Sequence, residues 1–230
     1  MDKPVVAVYL DELMFLSRLM TLQADRLRQA ASDWGPVFAS AAASIRKMMA
    51  GDRTADTPEY RATLMEALSH QDTILLALDG FLAAWARASL MLWPAPLGTE
   101  EHKAAARIRG RLLQEMLRIK DSDAYRLKDR ALRNNWMHYD EKLDDVLRQR
   151  GASIVPTEFL SPLLPHPGFV MRAFDLPSLT VTFAGDHGTK LDELFDVAED
   201  LGRRAGGAKY EYLALGGSGV PLPAVVDPGA

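Results

Sequence analysis

The sequence predicts a mainly α-helical fold: an antiparallel bundle of four to five helices, followed by a small C-terminal β-hairpin and a further helix. Apolar residues recur at helical spacing through most of residues 1–150 of the 230-residue chain. The connections between these segments are short, which favours antiparallel neighbours. After Gly151, prolines become frequent and two short runs of β-forming residues follow. The chain is therefore expected to divide into a bundle (1–150), a small α+β appendage (151–215) and a disordered tail (216–230).

The first helix is expected over Val8–Ala31, because leucines and methionines recur there every three or four residues. Ser32–Pro36 contains glycine and proline and is expected to break the helix. An alanine-rich second helix is expected over Val37–Met49, with basic residues near its end and Gly51 beyond it.

A polar loop, Gly51–Thr57, leads to a long helix expected over Pro58–Leu92, with the last loop residue as its N-cap and proline in the first turn. The second half of this helix is apolar nearly all round, so it is expected to be buried on several sides, or on one side by a partner subunit. Trp93–Gly98 ends it, and the next helix is expected over Thr99–Ile119.

The last helix of the predicted bundle runs from Ala124 to Arg150 and ends at Gly151, after a turn or capped restart at Lys120–Asp123. At about 100° per residue its apolar side chains share one stripe, which is expected to pack into a core. The stripe consists of Leu132, Trp136, Tyr139, Leu143, Val146 and Leu147.

The segment after Gly151 is rich in proline and is expected to be a linker or a wrapping segment. Phe169–Phe174 and Leu179–Ala184 are expected to form a hairpin, and an amphipathic helix is expected over Thr189–Gly202. The glycine-containing stretch Gly202–Gly207 follows this helix, so we interpret it as a helix end and not a phosphate-binding loop.

The formal net charge of −4 gives no general attraction to nucleic acid, so any RNA contact requires a local basic patch. The chain has no cysteine, which excludes disulfides, thiolate catalysis and cysteine-based metal sites. The N-terminus lacks the features of a secretory signal, and no run of about 18 uncharged apolar residues is present. A cytoplasmic protein that does not cross a membrane is therefore expected.

The last bundle helix also carries a polar motif, Arg133-Asn134-Asn-Trp-Met-His138. Arg133 and His138 are five residues apart, so they lie about 140° apart on a regular helix, on the two flanks of the apolar stripe. For both to act at one site, either the helix is distorted between them or a second copy of the chain supplies the other half.

This motif, late in a bundle of four or five helices, resembles the Arg-x4–6-His motif of the HEPN superfamily, in which a polar residue commonly follows the arginine. The resemblance covers roughly residues 5–150. It implies a homodimer whose subunits bring their motifs together in a cleft, and metal-independent cleavage of RNA without a cofactor. Arg133 would then stabilise the charge of the scissile phosphate, His138 would act as general acid or base, and Asn134 would orient one of them by hydrogen bonding.

The resemblance further implies a protein of the bacterial toxin or phage-defence kind, for which an antitoxin protein is a candidate partner. Related toxins often have a tyrosine two residues after the histidine, whereas Tyr139 follows His138 directly, which puts regulation through that tyrosine in doubt. The acidic residues that follow the motif would repel RNA unless they are paired. The basic residues around the motif could pair with these acids or form a local RNA-binding patch. These basic residues are Arg126, Lys128, Arg130 and Lys142.

Three other interpretations use the same residues. A HEPN-like module could bind RNA or a protein partner without cutting it. A structural or interaction protein would use Arg133 and His138 as ordinary helix-surface residues. A metal site of His138, Glu141 and Asp145 is the weakest, because nothing else in the chain completes it.

Overall fold

The computed structural model describes residues 3–95, 97–119, 126–128, 134–136, 139–150, 154–160, 169–183 and 188–215. The chain is mainly α-helical, which confirms the predicted fold class. In chain order the elements are α1 (Lys3–Met49), a 3₁₀ helix (Arg53–Ala55), α2 (Pro58–Leu92), α3 (Glu100–Met116), a 3₁₀ helix (Arg126–Lys128), α4 (Tyr139–Arg150), β1 (Ile154–Leu160), β2 (Phe169–Asp175), β3 (Thr180–Phe183), β4 (Thr189–Lys190) and α5 (Leu191–Ala214).

The described residues pack as two compact units. Unit 1 takes its residues from Met1–Met20, Ala84–Lys128 and Asp196–Ala230, and unit 2 from Thr21–Ala83 and Asp129–Phe195. The unit borders therefore fall inside α1, α2 and α5. The predicted division at residues 150 and 215 stays a prediction, and residues 216–230 lie outside the described part of the chain. Fully buried side chains include Leu10, Leu13, Leu16 and Trp85 in unit 1, and Ile74, Leu78, Phe81, Phe174 and Phe195 in unit 2.

α1 runs without interruption through Pro36, so the predicted break at Ser32–Pro36 is wrong. A proline inside a helix costs about 3 kcal/mol, because it removes one hydrogen bond and crowds the preceding turn. Here the buried Trp34 stacks on Phe38 with ring centroids 4.5 Å apart, and the Ser40 hydroxyl donates to the carbonyl of Pro36 at 2.9 Å. Buried residues of α1 lie on both sides of the proline, among them Ala30 before it and Ala41 after it, and we infer that their packing outweighs its cost.

Two carboxylates hold the connection between α1 and α2. The Oδ1 atom of Asp52 accepts hydrogen bonds from the backbone N–H of Thr54 at 3.0 Å and from its hydroxyl at 2.6 Å. Asp56 accepts from the Arg61 guanidinium at 2.8 and 2.7 Å. These hydrogen bonds favour the ionised acids, so the Thr54 side chain lowers the pKa of Asp52 and Arg61 lowers the pKa of Asp56.

Acid is expected to loosen this connection. Because both carboxyl pKa values are lowered by folding, their stabilising contribution is complete above the ordinary value of 3.8 and is lost as the pH falls through the folded value. The protection of the Thr54 amide from hydrogen exchange, corrected for intrinsic rates, should therefore fall as the pH drops below 3.8. An Asp52→Asn variant should lack this dependence at Thr54, and equal pH dependence in both proteins would contradict the assignment.

α2 has the predicted bounds, and its predicted N-cap is confirmed, since the Thr57 hydroxyl accepts from the N–H of Tyr60 at 3.1 Å. The apolar second half of α2 is largely buried, as its composition predicts. By length and composition alone α2 could cross a membrane. A buried core helix meets the same criteria, and 56% of its most apolar window is buried within the protein.

α3 ends in a turn that uses an unusual residue. The N–H of Arg118 donates to Glu115 at 3.0 Å and the N–H of Ile119 donates to Gln114 at 2.9 Å, the hydrogen-bond pattern of a Schellman motif. The residue in its left-handed position is Arg118, with a φ of 55°, where glycine is the usual choice. The helix therefore ends slightly before the predicted Ile119.

The predicted helix Ala124–Arg150 is wrong as a continuous α-helix. Arg126–Lys128 form a 3₁₀ turn, residues 134–136 are helical, and α4 begins at Tyr139. In the structure Leu127 is fully buried in unit 1, while the Trp136 side chain packs within unit 2. The predicted turn at Lys120–Asp123 lies outside the described residues.

The predicted hairpin is confirmed as β2 and β3, which pair antiparallel, with Phe174 opposite Val181. Its sheet is larger than expected, because β1 pairs parallel with β2 and the short β4 pairs with β3. The linker interpretation is thus wrong for Ile154–Leu160. Since β1 lies at the sheet edge, Pro156 can occupy it with no N–H to donate.

α5 continues well past its predicted end, so the interpretation of Gly202–Gly207 as a helix end is wrong. The reason lies in unit 1, where the Ser17 hydroxyl of α1 donates to the carbonyl of Ala198 at 2.7 Å. A Cβ atom at Gly202 would clash with the Ser17 side chain. The glycine permits α1 and α5 to approach closely while the helix continues.

Candidate functional site

The structure describes the predicted motif in part. Asn134 is exposed, whereas Arg133, His138 and the basic residue Arg130 lie outside the described residues. Arg126 and Lys128 are exposed on their 3₁₀ turn in unit 1, and the motif belongs to unit 2. The structure thus describes three of the four predicted basic residues, Arg126, Lys128 and Lys142. The RNA-binding patch stays a prediction.

Trp136 is held by contacts on two sides. Its indole Nε1 donates a hydrogen bond to Oδ1 of Asp79 on α2 at 2.8 Å. Its ring also meets the buried Phe183 of β3 edge to face, with centroids 5.9 Å apart and planes at 88°. Because an edge-to-face pair and an indole hydrogen bond both restrict ring orientation, these contacts fix the motif segment at Trp136.

The side chain of Arg172, on β2, contacts the aromatic rings of both Trp136 and Tyr139. Its guanidinium carbon lies 3.9 Å from the ring centroid of Tyr139 and 5.2 Å from that of Trp136. A cation over an aromatic face is worth about 0.5–1 kcal/mol at exposed sites and about 2 kcal/mol when desolvated. The side chains of Arg172, Trp136 and Tyr139 are all half-buried, so each contact falls within that range.

The predicted apolar stripe is packed in part. Trp136, Tyr139, Leu143 and Val146 are half-buried, whereas Leu147 is 39% exposed and Leu132 lies outside the described residues. The aromatic half of the stripe carries the contacts with the sheet and α2. The expectation that the whole stripe is core is thus wrong at Leu147.

Lys142 already has a partner within the protein, and its binding to RNA stays a prediction. Its ammonium is half-buried and donates to the side-chain oxygen of Asn135. Arg148, also on α4, pairs with Asp145 at 3.1 Å. The structure therefore joins Lys142 to the motif segment, and RNA would have to compete with Asn135 for it.

Asp79 and Arg172 were not identified from the sequence, because each contacts residues distant in the chain. Arg172 alternates with the apolar Met171 and Ala173 in the predicted strand, which places it on the opposite face of the sheet but does not identify its partners. Asp79 is an exposed helix residue, and the sequence does not identify its partner either.

Unit 1 contains a groove of about 350 Å³ that presents three arginines. Arg204 donates to Asp200 at 2.5 Å and to the backbone carbonyls of Leu117 and Arg118, which follow the last residue of α3. Arg203 also binds Asp200, and Arg118 binds Glu211 at 2.9 Å. Two carboxylates and a helix C-terminus thus offset the three positive charges, and the network joins α3 to α5.

Among the described residues, no group of three or more histidine, aspartate or glutamate side chains is placed to hold a metal ion. The metal site considered from the sequence depends on His138, which lies outside those residues. Its other two members, Glu141 and Asp145, are exposed on α4.

Comparison with known proteins finds no matching family model, no similar curated protein and no similar solved structure. The fold and the described site define a mainly α-helical protein with a small mixed sheet. The resemblance to the HEPN superfamily rests on the motif and its position in the chain.

Proposed function

We propose that this protein is a metal-independent endoribonuclease of the bacterial toxin or phage-defence kind, which acts in the cytoplasm as a homodimer. The observation that supports this best is the arrangement around the motif. Trp136 and Tyr139 are anchored to α2 and the sheet, while Asn134 is exposed. Two described residues of this segment are therefore anchored to other elements, and an active site requires a scaffold of this kind.

In the proposed reaction His138 accepts the proton of a ribose 2′-hydroxyl. The 2′-oxygen attacks the adjacent phosphorus and the bond from phosphorus to the 5′-oxygen breaks, which leaves a 2′,3′-cyclic phosphate and a 5′-hydroxyl once the leaving oxygen is protonated. Arg133 stabilises the charge on the phosphoryl oxygens, and Asn134 orients a catalytic group by hydrogen bonding. The two motifs of the dimer together supply one site.

Purified protein is expected to cut single-stranded RNA in the presence of EDTA. The products should carry 2′,3′-cyclic phosphate and 5′-hydroxyl ends, which end-specific enzymatic treatment and mass spectrometry distinguish. Size-exclusion chromatography with light scattering should give the mass of a dimer. RNA that stays intact when the dimer is present at a concentration equal to that of the RNA would refute the catalytic proposal.

The second candidate is a non-catalytic HEPN-like module that binds RNA or a protein partner such as an antitoxin. The engagement of Lys142 by Asn135 and the exposed acids of α4 favour a protein partner over RNA. Gel shifts with RNA at increasing salt separate the two ligands, because phosphate contacts weaken steeply as salt rises. Salt-sensitive binding without cleavage would indicate the RNA-binding module.

A further inference from the structure

The part of α1 that belongs to unit 1 is apolar on two faces. The face that packs in the core is buried and consists of Val6, Leu10, Leu13, Leu16 and Met20. A second set of apolar residues lies about 120° around the helix from the first. Two of its members are mostly exposed, Val8 by 63% and Phe15 by 55%. Single exposed apolar residues are common on protein surfaces, whereas a contiguous exposed stripe marks an interaction site.

This second face follows the heptad spacing of a coiled coil. We name it the outer stripe, and its members are Val5, Val8, Glu12, Phe15 and Leu19. Successive members are three, four, three and four residues apart, which is the spacing of the a and d positions that pack between two supercoiled helices. All are exposed except Leu19, which is half-buried. The outer stripe therefore fits a second helix that packs along it.

The order of residues in the outer stripe favours a second copy of α1 in antiparallel orientation. When a chain pairs with its own copy about a twofold axis, residue i contacts residue j of the copy and residue j contacts residue i. An axis midway between Glu12 and Phe15 sets Val8 of each copy beside Leu19 of the other, so aliphatic residues meet on both sides of it. In a parallel pair Glu12 would lie beside its own copy, and two like charges would meet in the seam.

Charged residues at the outer stripe complement each other in the antiparallel pair. Glu12 and Arg18 are exposed, and neither forms an ion pair within the described part of the chain. They are six residues apart, which places them about 9 Å apart along the helix axis and on different sides of the helix. About the same twofold axis, Arg18 of one copy comes within about 4.5 Å of Glu12 of the other along that axis. The neighbouring Asp11 is already paired with Lys209. Two equivalent ion pairs between Glu12 and Arg18 therefore join the copies.

We propose that the outer stripe of α1 is the surface through which two copies of this chain associate, packed antiparallel about a twofold axis between Glu12 and Phe15. This surface is assigned to the homodimer of the proposed function, on which the inference rests. All of its residues belong to unit 1 and are described by the structure. Phe15 lies nearest the centre of the surface, where large aromatic side chains contribute most to affinity.

The first test compares Phe15→Glu with Leu76→Glu. Leu76 is a matched control, because this leucine of α2 is 73% exposed and does not belong to the outer stripe. Sedimentation velocity of the full-length proteins over a range of concentrations measures the dissociation constant of the dimer. Phe15→Glu should raise this constant about 30-fold or more, since it replaces a central aromatic contact by a charge. Leu76→Glu should leave it unchanged.

The second test reverses the charges at exposed positions. Glu12→Arg and Arg18→Glu each bring like charges together at two equivalent places, and each should raise the dissociation constant about tenfold. The double variant restores opposite charges and should return the constant to within about threefold of the wild-type value. Recovery is specific to the antiparallel pair, because only there does Glu12 of one copy face Arg18 of the other.

Wild-type protein that remains a monomer would overturn both this surface and the homodimer, and would leave the outer stripe to a different partner. A dimer that Phe15→Glu does not weaken, or that the double charge reversal does not restore, would overturn the surface and keep the homodimer. If Phe15→Glu fails to fold, as judged by circular dichroism, the charge variants decide by the same criteria. RNA cleavage is assayed separately: a dimer that responds to these variants but leaves RNA intact supports the surface and refutes the proposed activity.

Discussion

Replacement of His138 by alanine is expected to lower the rate of RNA cleavage by about 10²- to 10⁴-fold, the usual contribution of a general acid or base. The alanine side chain can neither accept the proton of the 2′-hydroxyl nor donate one to the leaving oxygen. Initial rates on a fluorescent RNA substrate measure the change. Because the adjacent Tyr139 keeps its contact with Arg172, the variant should retain the wild-type circular dichroism spectrum and melting temperature.

His102→Ala is the matched control, because His102 is exposed near the start of α3. It should cleave RNA at the wild-type rate. Arg133→Ala should lower the rate by about 10²- to 10³-fold, as expected for loss of one group that stabilises transition-state charge. Equal rates for wild-type, His138→Ala and Arg133→Ala proteins would show that any observed cleavage comes from elsewhere.

Local patterns were sufficient to predict much of the helical structure. The bounds of α2 follow from the Thr57 cap, the proline in the first turn and the Pro-rich stop after Trp93, all of which are signals within a few residues. The β2–β3 hairpin follows likewise from alternating residues around a turn. Such elements are specified by neighbours in sequence, so a sequence alone carries the information.

The incorrect predictions concern elements that depend on packing and not on local sequence preference. Pro36 and Gly202 are helix breakers by local preference, yet both lie inside long helices whose packing outweighs that preference. Pro156 was taken to mark a linker, although an edge strand tolerates proline on its unpaired side. At Gly202 the deciding contact is with the distant Ser17, and at Pro156 it is the pairing of β1 with β2.

The contacts at the candidate site were likewise predictable only in part. The helical period placed Trp136 and Tyr139 on one packed face, and both side chains do contact the same residue, Arg172. The period could not identify that residue or Asp79, because partners on other elements depend on tertiary structure. The pairing of Lys142 with Asn135 was missed for a different reason, since flexible side chains select partners by local geometry.

Replacement of Gly202 by leucine is expected to destabilise the protein by about 3 kcal/mol or more. Overpacking of a tight interface typically costs about 1–3 kcal/mol. Here even a Cβ atom would come within 3.0 Å of the Ser17 Cβ, and the crowding would also displace the Ser17 hydroxyl from the carbonyl of Ala198. Chemical denaturation of both proteins measures the difference in the free energy of unfolding.

Gly207 provides the matched control on the same helix, because a Cβ atom there would meet nothing within 4 Å. Gly207→Ala should stabilise the protein by roughly 1 kcal/mol, the difference in helix propensity between the two residues. Gly202→Ala gains the same propensity but meets Ser17, so its net effect should be less favourable than that of Gly207→Ala. Adding Ser17→Gly should then recover part of the difference, with a coupling of about 0.5–3 kcal/mol. Similar stabilisation by Gly202→Ala and Gly207→Ala, without coupling to Ser17, would mean that α1 and α5 do not require a glycine at their contact.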